Sequence, residues 1–456
     1  MLNLIKKLDK LDVASKSSIK NFLIRPIGMI LAAVYTPLLL DYLGTEANGV
    51  WASVLTVITW VNYCDLGIGN GLRNLLTRYI TNREYQKAQK AISTAYVVLS
   101  GISAVILLVL LGFAFLMDWN ALLKTQLQVR PMVVITFVFI ALNFLLALSN
   151  SVLYALQQSE RVSVRGCLVQ ILNIAGLLIL RNWGEGSLTA MAILFGSTTA
   201  VVYIWNTIHI CLNRKYLIPR MQEFDRGLVR QIAGCGMQFF VIQLTAVLIL
   251  SSHNMIVSFL FGAAAVTPVH TVNTVYATGY SFMAALVVPF WSRTTQALEN
   301  GEFVWIRNSM KKVRHISYLF ILGFIAVAFV FEDISAIWLG KELDYQPGVI
   351  GATCLFYIME VVNLVYVQFY YGMGWIKPYM YLTVFQAVII IPLSWLLAIP
   401  LGLGVAGVKL AAAIVLAFSG IALPYLTRYR LKACEKQWKG KEQLNGFNNL
   451  ADNASE

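Results

Sequence analysis

The sequence predicts an all-α integral membrane protein with about 12 transmembrane helices, in two six-helix bundles related by a parallel repeat around a central cavity. Three observations carry that expectation: a shortage of charge, a series of apolar stretches of bilayer length, and a pattern that recurs halfway along the chain. Of 456 residues, 58% are hydrophobic and 12% charged, where a soluble domain carries about 25% charged residues. Length alone would suit two or three soluble domains. The charge deficit, with a mean hydropathy of +0.69, removes that reading.

Apolar stretches lie near 19–40, 47–64, 91–117, 131–156, 167–180, 188–212, 232–261, 268–291, 316–339, 348–371, 379–399 and 405–427. Most can cross about 30 Å of hydrocarbon as a helix. The fifth is the weakest, because Arg165 and Arg181 bracket a short core. Backbone polar groups must be satisfied within lipid, and the alternation of barrel strands is absent, so these stretches are expected to be helices.

Charge sets the orientation. Lys and Arg in the connecting segments and termini divide 28 to 4 between alternate sides, which puts both termini in the cytoplasm and favours an even number of spans. Topology thereby accounts for the net charge of +13, and no soluble basic domain remains for a nucleic-acid partner. The first 18 residues are polar and basic, without a cleavable leader pattern, so the first span is expected to be retained. The six cysteines form no metal-type pair, so neither a metal site nor a disulfide framework is expected. No cofactor motif is present.

The two halves align at an offset of 218 positions: Gly44 with Gly262, Thr77 with Thr295, Asn82 with Asn300, Glu84 with Glu302 and Tyr85 with Phe303. Arg130-Pro131 and Gln346-Pro347 open corresponding spans at an offset of 216. Each half holds six spans and starts on the same side, as in transporters that alternate access between two bundles. The expected organisation is a cytoplasmic segment 1–18, a bundle 19–212, a linker 213–231, a bundle 232–427, and a tail 428–456 that is basic and then disordered.

Several residues stand out chemically. Asp65-Leu-Gly-Ile-Gly-Asn-Gly-Leu-Arg73 lacks the glycine spacing and strand context of a nucleotide loop. Its glycines can break the helix and turn the chain along the membrane face. Asp65 and Arg73 either pair there as a gate or are ordinary interfacial charges. Arg25 precedes Pro26 inside the first span, where a guanidinium costs about 2.5–3.5 kcal/mol on insertion scales. It either faces a cavity, offering forked donors to a pyrophosphate, or snorkels to the surface. Lys409, in the last span and near its end, faces the same two alternatives. Glu360 lies near mid-span, where snorkelling is hard. It either couples transport to a proton or cation or pairs with a neighbouring helix. His253 and His270, in adjacent spans at similar depth, either donate to sugar hydroxyls or are packing residues. Among the aromatic residues, Trp51 and Trp60 are candidates to stack on sugar faces.

Residues 42–90 carry a family resemblance. Tyr42-Leu-Gly-Thr-Glu-Ala-Asn-Gly-Val-Trp51, then Trp60 with Asp65-Leu-Gly-Ile-Gly-Asn-Gly-Leu-Arg73-Asn74, is similar to the Wzx-type O-antigen and polysaccharide flippases. These belong to the superfamily of multidrug, oligosaccharidyl-lipid and polysaccharide exporters. Tyr154-Ala-Leu-Gln-Gln and Asn254-Met-Ile-Val-Ser-Phe-Leu-Phe-Gly262 fit the same pattern, and the likeness extends over roughly 19–430. One departure is His253-Asn254, where relatives often carry an acidic residue. The resemblance implies a non-enzymatic flippase of the bacterial inner membrane. Its substrate would be an undecaprenyl-pyrophosphate-linked oligosaccharide, moved from the cytoplasmic to the periplasmic leaflet with its tail among the membrane lipids. Polymerase and chain-length proteins of the polysaccharide pathway are the implied partners. The alternatives are a multidrug or small-molecule antiporter of related architecture, with a more apolar or acidic cavity, and a membrane glycosyltransferase. The latter would need a larger extramembrane loop than any here. The charge division generates one direct check. A reporter active only in the periplasm, fused after Tyr425, should stay silent, and strong activity there would refute the topology.

Overall fold

The computed structural model describes residues 12–62, 67–120, 125–184, 186–262, 265–339 and 345–453. Among the described residues there are helices and turns and no strands, as backbone satisfaction in lipid requires. The chain forms two compact units, Met1–Phe240 and Val241–Glu456. The first contains α1 (Val13–Asn62), α2 (Ile68–Thr81), α3 (Tyr85–Leu116), α4 (Arg130–Leu146), α5 (Leu148–Ala155), α6 (Ser159–Trp183) and α7 (Leu188–Asn213). The boundary falls within α8 (Arg226–Phe261). The second contains α9 (Val266–Val287), α10 (Phe290–Glu299), α11 (Phe303–Phe329), α12 (Phe331–Leu339), α13 (Val349–Gly372), α14 (Lys377–Ala398) and α15 (Gly404–Asn453).

Eleven of the expected spans are helices long and apolar enough to cross a membrane. The remaining one, expected at 47–64, is the part of α1 beyond a break at Gly44, whose φ of 74° lies in the left-handed region. It continues to Asn62, and its last residues lie outside the described set. The fifth span is not short. Ser159–Asn182 is 24 residues long, and Arg165 sits inside the helix, 7% exposed, with its guanidinium over the Trp205 ring at 5.6 Å. An arginine whose charge lies against an aromatic face does not end a span. The tail differs as well. α15 continues past its apolar part to Asn453, and Arg307 on α11 reaches Glu435 at 2.9 Å, while Trp438 packs edge-on against Phe303.

Helix faces sort by what they meet. On α3, Ala88, Ala91 and Ala95 are fully buried, whereas Leu108 is 71% exposed and Leu116 87%, an outer face suited to hydrocarbon. Small residues on the inner face let backbones approach, which is how helices gain packing in lipid. α1 packs along α6, held at one end by Ser17 donating to Glu160 at 2.6 Å and Asn21 donating to Ser159 at 3.0 Å. In the second unit α13 is central, packed by α9, α10, α11 and α15.

The repeat is written into the backbone. α2 ends at Thr81 and α10 at Glu299, and α3 and α11 restart at Tyr85 and Phe303, each pair 218 positions apart. In the first turn, Asn82, Arg83 and Glu84 amides donate to the Arg78, Ile80 and Tyr79 carbonyls. In the second, Asn300, Gly301 and Glu302 donate to the Gln296, Leu298 and Ala297 carbonyls. Gly44 and Gly262 are both left-handed, as are Arg83 and Gly301.

The glycine run starts at a helix break and then continues as a helix. Gly67 caps α2 in the left-handed conformation, and Gly69 and Gly71 lie inside the helix. A Cβ on Gly67 would meet the Gly236 carbonyl oxygen, and one on Gly71 the Ile232 carbonyl oxygen at 2.8 Å. The glycines bring the α2 backbone against α8, a close helix approach that a side chain would block. Gly67→Ala adds left-handed strain to overpacking and should cost about 2 kcal/mol or more. At Gly101, in mid-helix, an added Cβ meets nothing within 4 Å. There, substitution by Ala should leave stability unchanged or raise it by about 1 kcal/mol. Thermal midpoints of the two purified variants check this, and equal midpoints would contradict the close approach.

Candidate functional site

The second unit brings together three of the residues singled out by sequence. Lys409 on α15 is 0% exposed, so it does not snorkel. Its ammonium donates to Asn273 Oδ1 on α9 at 2.9 Å and lies 5.1 Å from the Phe356 ring centre on α13. His253 on α8 is 2% exposed and stands edge-on to the same Phe356 ring, 6.0 Å between centres. Neither of its ring nitrogens makes a well-aligned hydrogen bond, and the Ile249 carbonyl, one turn back, is the backbone group near it. Lys409 is within electrostatic reach of His253, and so is His270, which is itself exposed.

Glu360 stands one turn along α13 from Phe356 and Tyr357, on the same helix face. Tyr280 of α9 hydrogen-bonds to it, and Tyr357, Tyr371 and Tyr379 lie within its electrostatic reach. Tyr357 links the two ends of the site. Its hydroxyl donates to Asn273 Oδ1 at 3.1 Å, the atom that also accepts from Lys409. Its ring stacks on Tyr276 at 5.8 Å and meets Phe356 edge-on at 5.0 Å.

The energetics mark this region as more than packing. A buried ammonium loses several kcal/mol of hydration. A neutral amide and an aromatic face return only part of that, the ring about 2 kcal/mol when desolvated. No carboxylate pairs with Lys409 among the described residues. A cation held in a span by neutral partners can accept an anion's charge or exchange a proton with its surroundings. A carboxylate ringed by phenols can change its protonation without losing its hydrogen bonds, because a tyrosine hydroxyl both donates and accepts.

In the first unit the expected residues stay apart from one another. Arg25 is exposed on α1, with the Cys167 thiol of α6 in electrostatic reach. Arg73 is 4% exposed on α2, its guanidinium over the Tyr154 ring at 4.7 Å. Asp65, its expected gate partner, lies outside the described residues. Sequence reasoning missed Asn273, Tyr280 and Tyr357, and it missed Arg165 as a buried charge. The i, i+4 spacing of Tyr276 and Tyr280 was the available signal for one polar helix face.

With this geometry in place, comparisons with known proteins identify the fold. No family model matches the chain. A Yersinia pseudotuberculosis protein that carries an O-antigen export name is 21% identical over 377 residues, which is 80% of this chain and 85% of that protein. The outward-facing structure of a multidrug resistance MATE family transporter of the MOP superfamily superposes with a TM-score of 0.76. It is 16% identical and covers 94% of this chain and 98% of its own. A MOP superfamily transporter from Pyrococcus furiosus superposes with a TM-score of 0.75 at 16% identity, with the same coverage. The chain is a multi-pass membrane protein with the fold of the MATE transporters of the MOP superfamily.

Proposed function

We propose that the protein is a flippase. It would translocate an undecaprenyl-pyrophosphate-linked oligosaccharide, an O-antigen or related repeat unit, from the cytoplasmic to the periplasmic leaflet of the bacterial inner membrane. Its two bundles would alternate access, with both termini in the cytoplasm. The observation that carries this reading is the buried, carboxylate-free Lys409. Among the charges in the described spans, Arg165 and Lys409 are buried cations, Arg25 is an exposed one, and Glu360 lies near the middle of its helix. An excess of cations suits an anionic cargo such as a pyrophosphate, and forked guanidinium donors suit its oxygens. The export name of the Yersinia relative, matched over 80% of this chain, supports the same cargo. The likeness to a multidrug resistance transporter keeps an antiporter of small molecules as the second reading. A cation-carrying antiporter would need carboxylates where this chain places Lys409.

Deletion should remove the surface polysaccharide and accumulate its lipid-linked precursor. Lys409→Met keeps an unbranched side chain one atom shorter and removes the charge. It should lower export at least tenfold at normal protein abundance. Normal polysaccharide in the deletion strain, together with lost efflux of cationic dyes, would favour the antiporter.

Glu360 is the proposed coupling residue. Its carboxyl is held by Tyr280 and surrounded by phenols, so it can take up a proton on one side and release it on the other. Glu360→Gln keeps the shape and removes the titration. In proteoliposomes it should abolish the response of transport to an imposed pH or sodium gradient while leaving substrate binding within about threefold. A variant that responds as the wild type does would assign Glu360 a structural role.

A further inference from the structure

Two arginines stand one turn apart where the start of α6 meets the end of α7. Arg161 is exposed. Its Nη1 lies 3.1 Å from His209 Nε2 on α7, and since arginine only donates, the ring nitrogen accepts. Arg165, 7% exposed, lies against the Trp205 ring of α7 and within electrostatic reach of Arg161. Neither arginine meets a carboxylate among the described residues. Glu160, beside Arg161 in sequence, is engaged on α1 instead, by Ser17 at 2.6 Å and Lys20 at 3.8 Å. Like charges one turn apart repel. An imidazole and an indole face orient the two guanidinium groups without neutralising them.

The surface around them is an outer one. Trp205 is 52% exposed, and Val201 and Leu212, on the same face of α7, are exposed as well. On α6, Val164, Ile171 and Leu178 recur every seventh residue as an exposed apolar stripe, the side of the helix suited to hydrocarbon. By helix rise, Arg161 and His209 lie about 3 and 6 Å from the ends of their helices, and Arg165 and Trp205 about 9 and 12 Å. The polar layer of a bilayer is about 5–7 Å deep on each side, and exposed tryptophans gather at its inner edge. The four residues therefore straddle the level of the lipid phosphates, at the end that the charge division assigns to the cytoplasm.

The fold does not require this cluster. The turn at Gln157 corresponds to that at Gly374, 217 positions on. At that offset Arg161, Arg165, Trp205 and His209 correspond to Pro378, Leu382, Ala422 and Leu426, with no charge and no aromatic ring among them. In the second unit α14 and α15 pack together without such a cluster, so the arginines of the first are an addition to the helix packing.

We infer that Arg161, with Arg165, Trp205 and His209 around it, forms a binding site for the phosphate of a membrane lipid at the outer seam of α6 and α7. Arg161 makes the contact, because the donors that His209 leaves free have the forked geometry that phosphate oxygens accept. Arg165 adds charge from beneath the Trp205 ring, and acyl chains run inward along Val164, Ile171 and Leu178.

The site does not draw on the flippase reading, and its test reads binding alone. Native mass spectrometry of the purified full-length protein measures the lipid retained after equal additions of phosphatidylglycerol, undecaprenyl phosphate or, as a zwitterionic control, phosphatidylethanolamine. At least one of the two anionic lipids should be retained well above the control. Arg161→Gln should lower that retention about fivefold, as for one cation removed from an anionic headgroup. Adding Arg165→Gln should lower it further, and Arg161→Lys should keep part of it. Lys87→Gln, which removes an exposed cation paired with Glu84, should leave it unchanged. Without added lipid, the thermal midpoint of Arg161→Gln should stay within about 2 °C of the wild type, as for an exposed side chain. Preferential retention of undecaprenyl phosphate identifies a polyprenyl carrier as the source of the phosphate, and preferential retention of phosphatidylglycerol identifies a bulk phospholipid. Equal retention of all three lipids by the wild type, or retention that the Arg161 and Arg165 substitutions leave unchanged, would overturn the site.

Discussion

Within hydrocarbon, a backbone amide has no water to fall back on, and every element of this fold follows from that. The chain is helical because only intrasegment hydrogen bonds satisfy it throughout a span. Apolar side chains gain little by leaving lipid for protein, so packing must come from shape. Gly67 and Gly71 against the Ile232 and Gly236 backbone, and the buried alanines of α3, are the form it takes here. Several polar side chains within spans find a partner on another helix: Asn363 donates to the Leu416 carbonyl, and Gln386 to the Val415 carbonyl and Ser419. Lys409, whose buried ammonium meets only a neutral amide and an aromatic ring, carries the functional argument.

The two units differ in chemistry at matching positions. In the second, a lysine, a histidine and a glutamate share one polar region, bridged by Asn273 and Tyr357. In the first, 217 positions back along the chain, Asn143 stands at the position of Glu360 and Ala192 at that of Lys409. The two copies of the repeat thus carry different chemistry at one helix position, a carboxyl in one and an amide in the other. A duplicated scaffold makes this division inexpensive, since equivalent backbone positions can change side chains without changing how the helices pack.

Much of the architecture was legible in the sequence. Apolar length gave the spans, and the paired residues at 82–85 and 300–303 gave the repeat, because both are properties of the chain read in order. The second span was visible as an apolar stretch, although in the structure it shares one long helix with the first across Gly44. The glycine run was read as a place where the helix breaks and the chain turns, which holds at Gly67, while Gly71 adds a helix contact that the sequence did not show. Its spacing of four serves helix contact, and the partner strand of backbone, at Gly236, is 169 positions away from Gly67. For the site, the depth of Glu360 and the oddity of Lys409 could be read. Their partners could not, because Lys409 meets Asn273 across 136 positions. In a span that is apolar all round, periodicity does not distinguish the face toward lipid from the face toward protein. Arg165 shows the same limit. It read as a boundary charge because its covering ring, Trp205, belongs to the next helix.

The repeated turn also records how two copies drift once they are free to do so. Arg83 and Gly301 share a left-handed backbone, which suits glycine and costs most other residues about 1 kcal/mol or more. The first copy tolerates that cost and gains an exposed cation in a loop between spans. The second has a glycine there, and the Trp438 ring lies where its Cβ would be, so the bare backbone becomes a seat for the last helix. One inherited bend thus serves as a charge mount in one half and as a docking notch in the other. Similarity between the halves is therefore a poor guide to interchangeability: a glycine transplanted to position 83 would be welcome, whereas an arginine at position 301 would lift the last helix from its place.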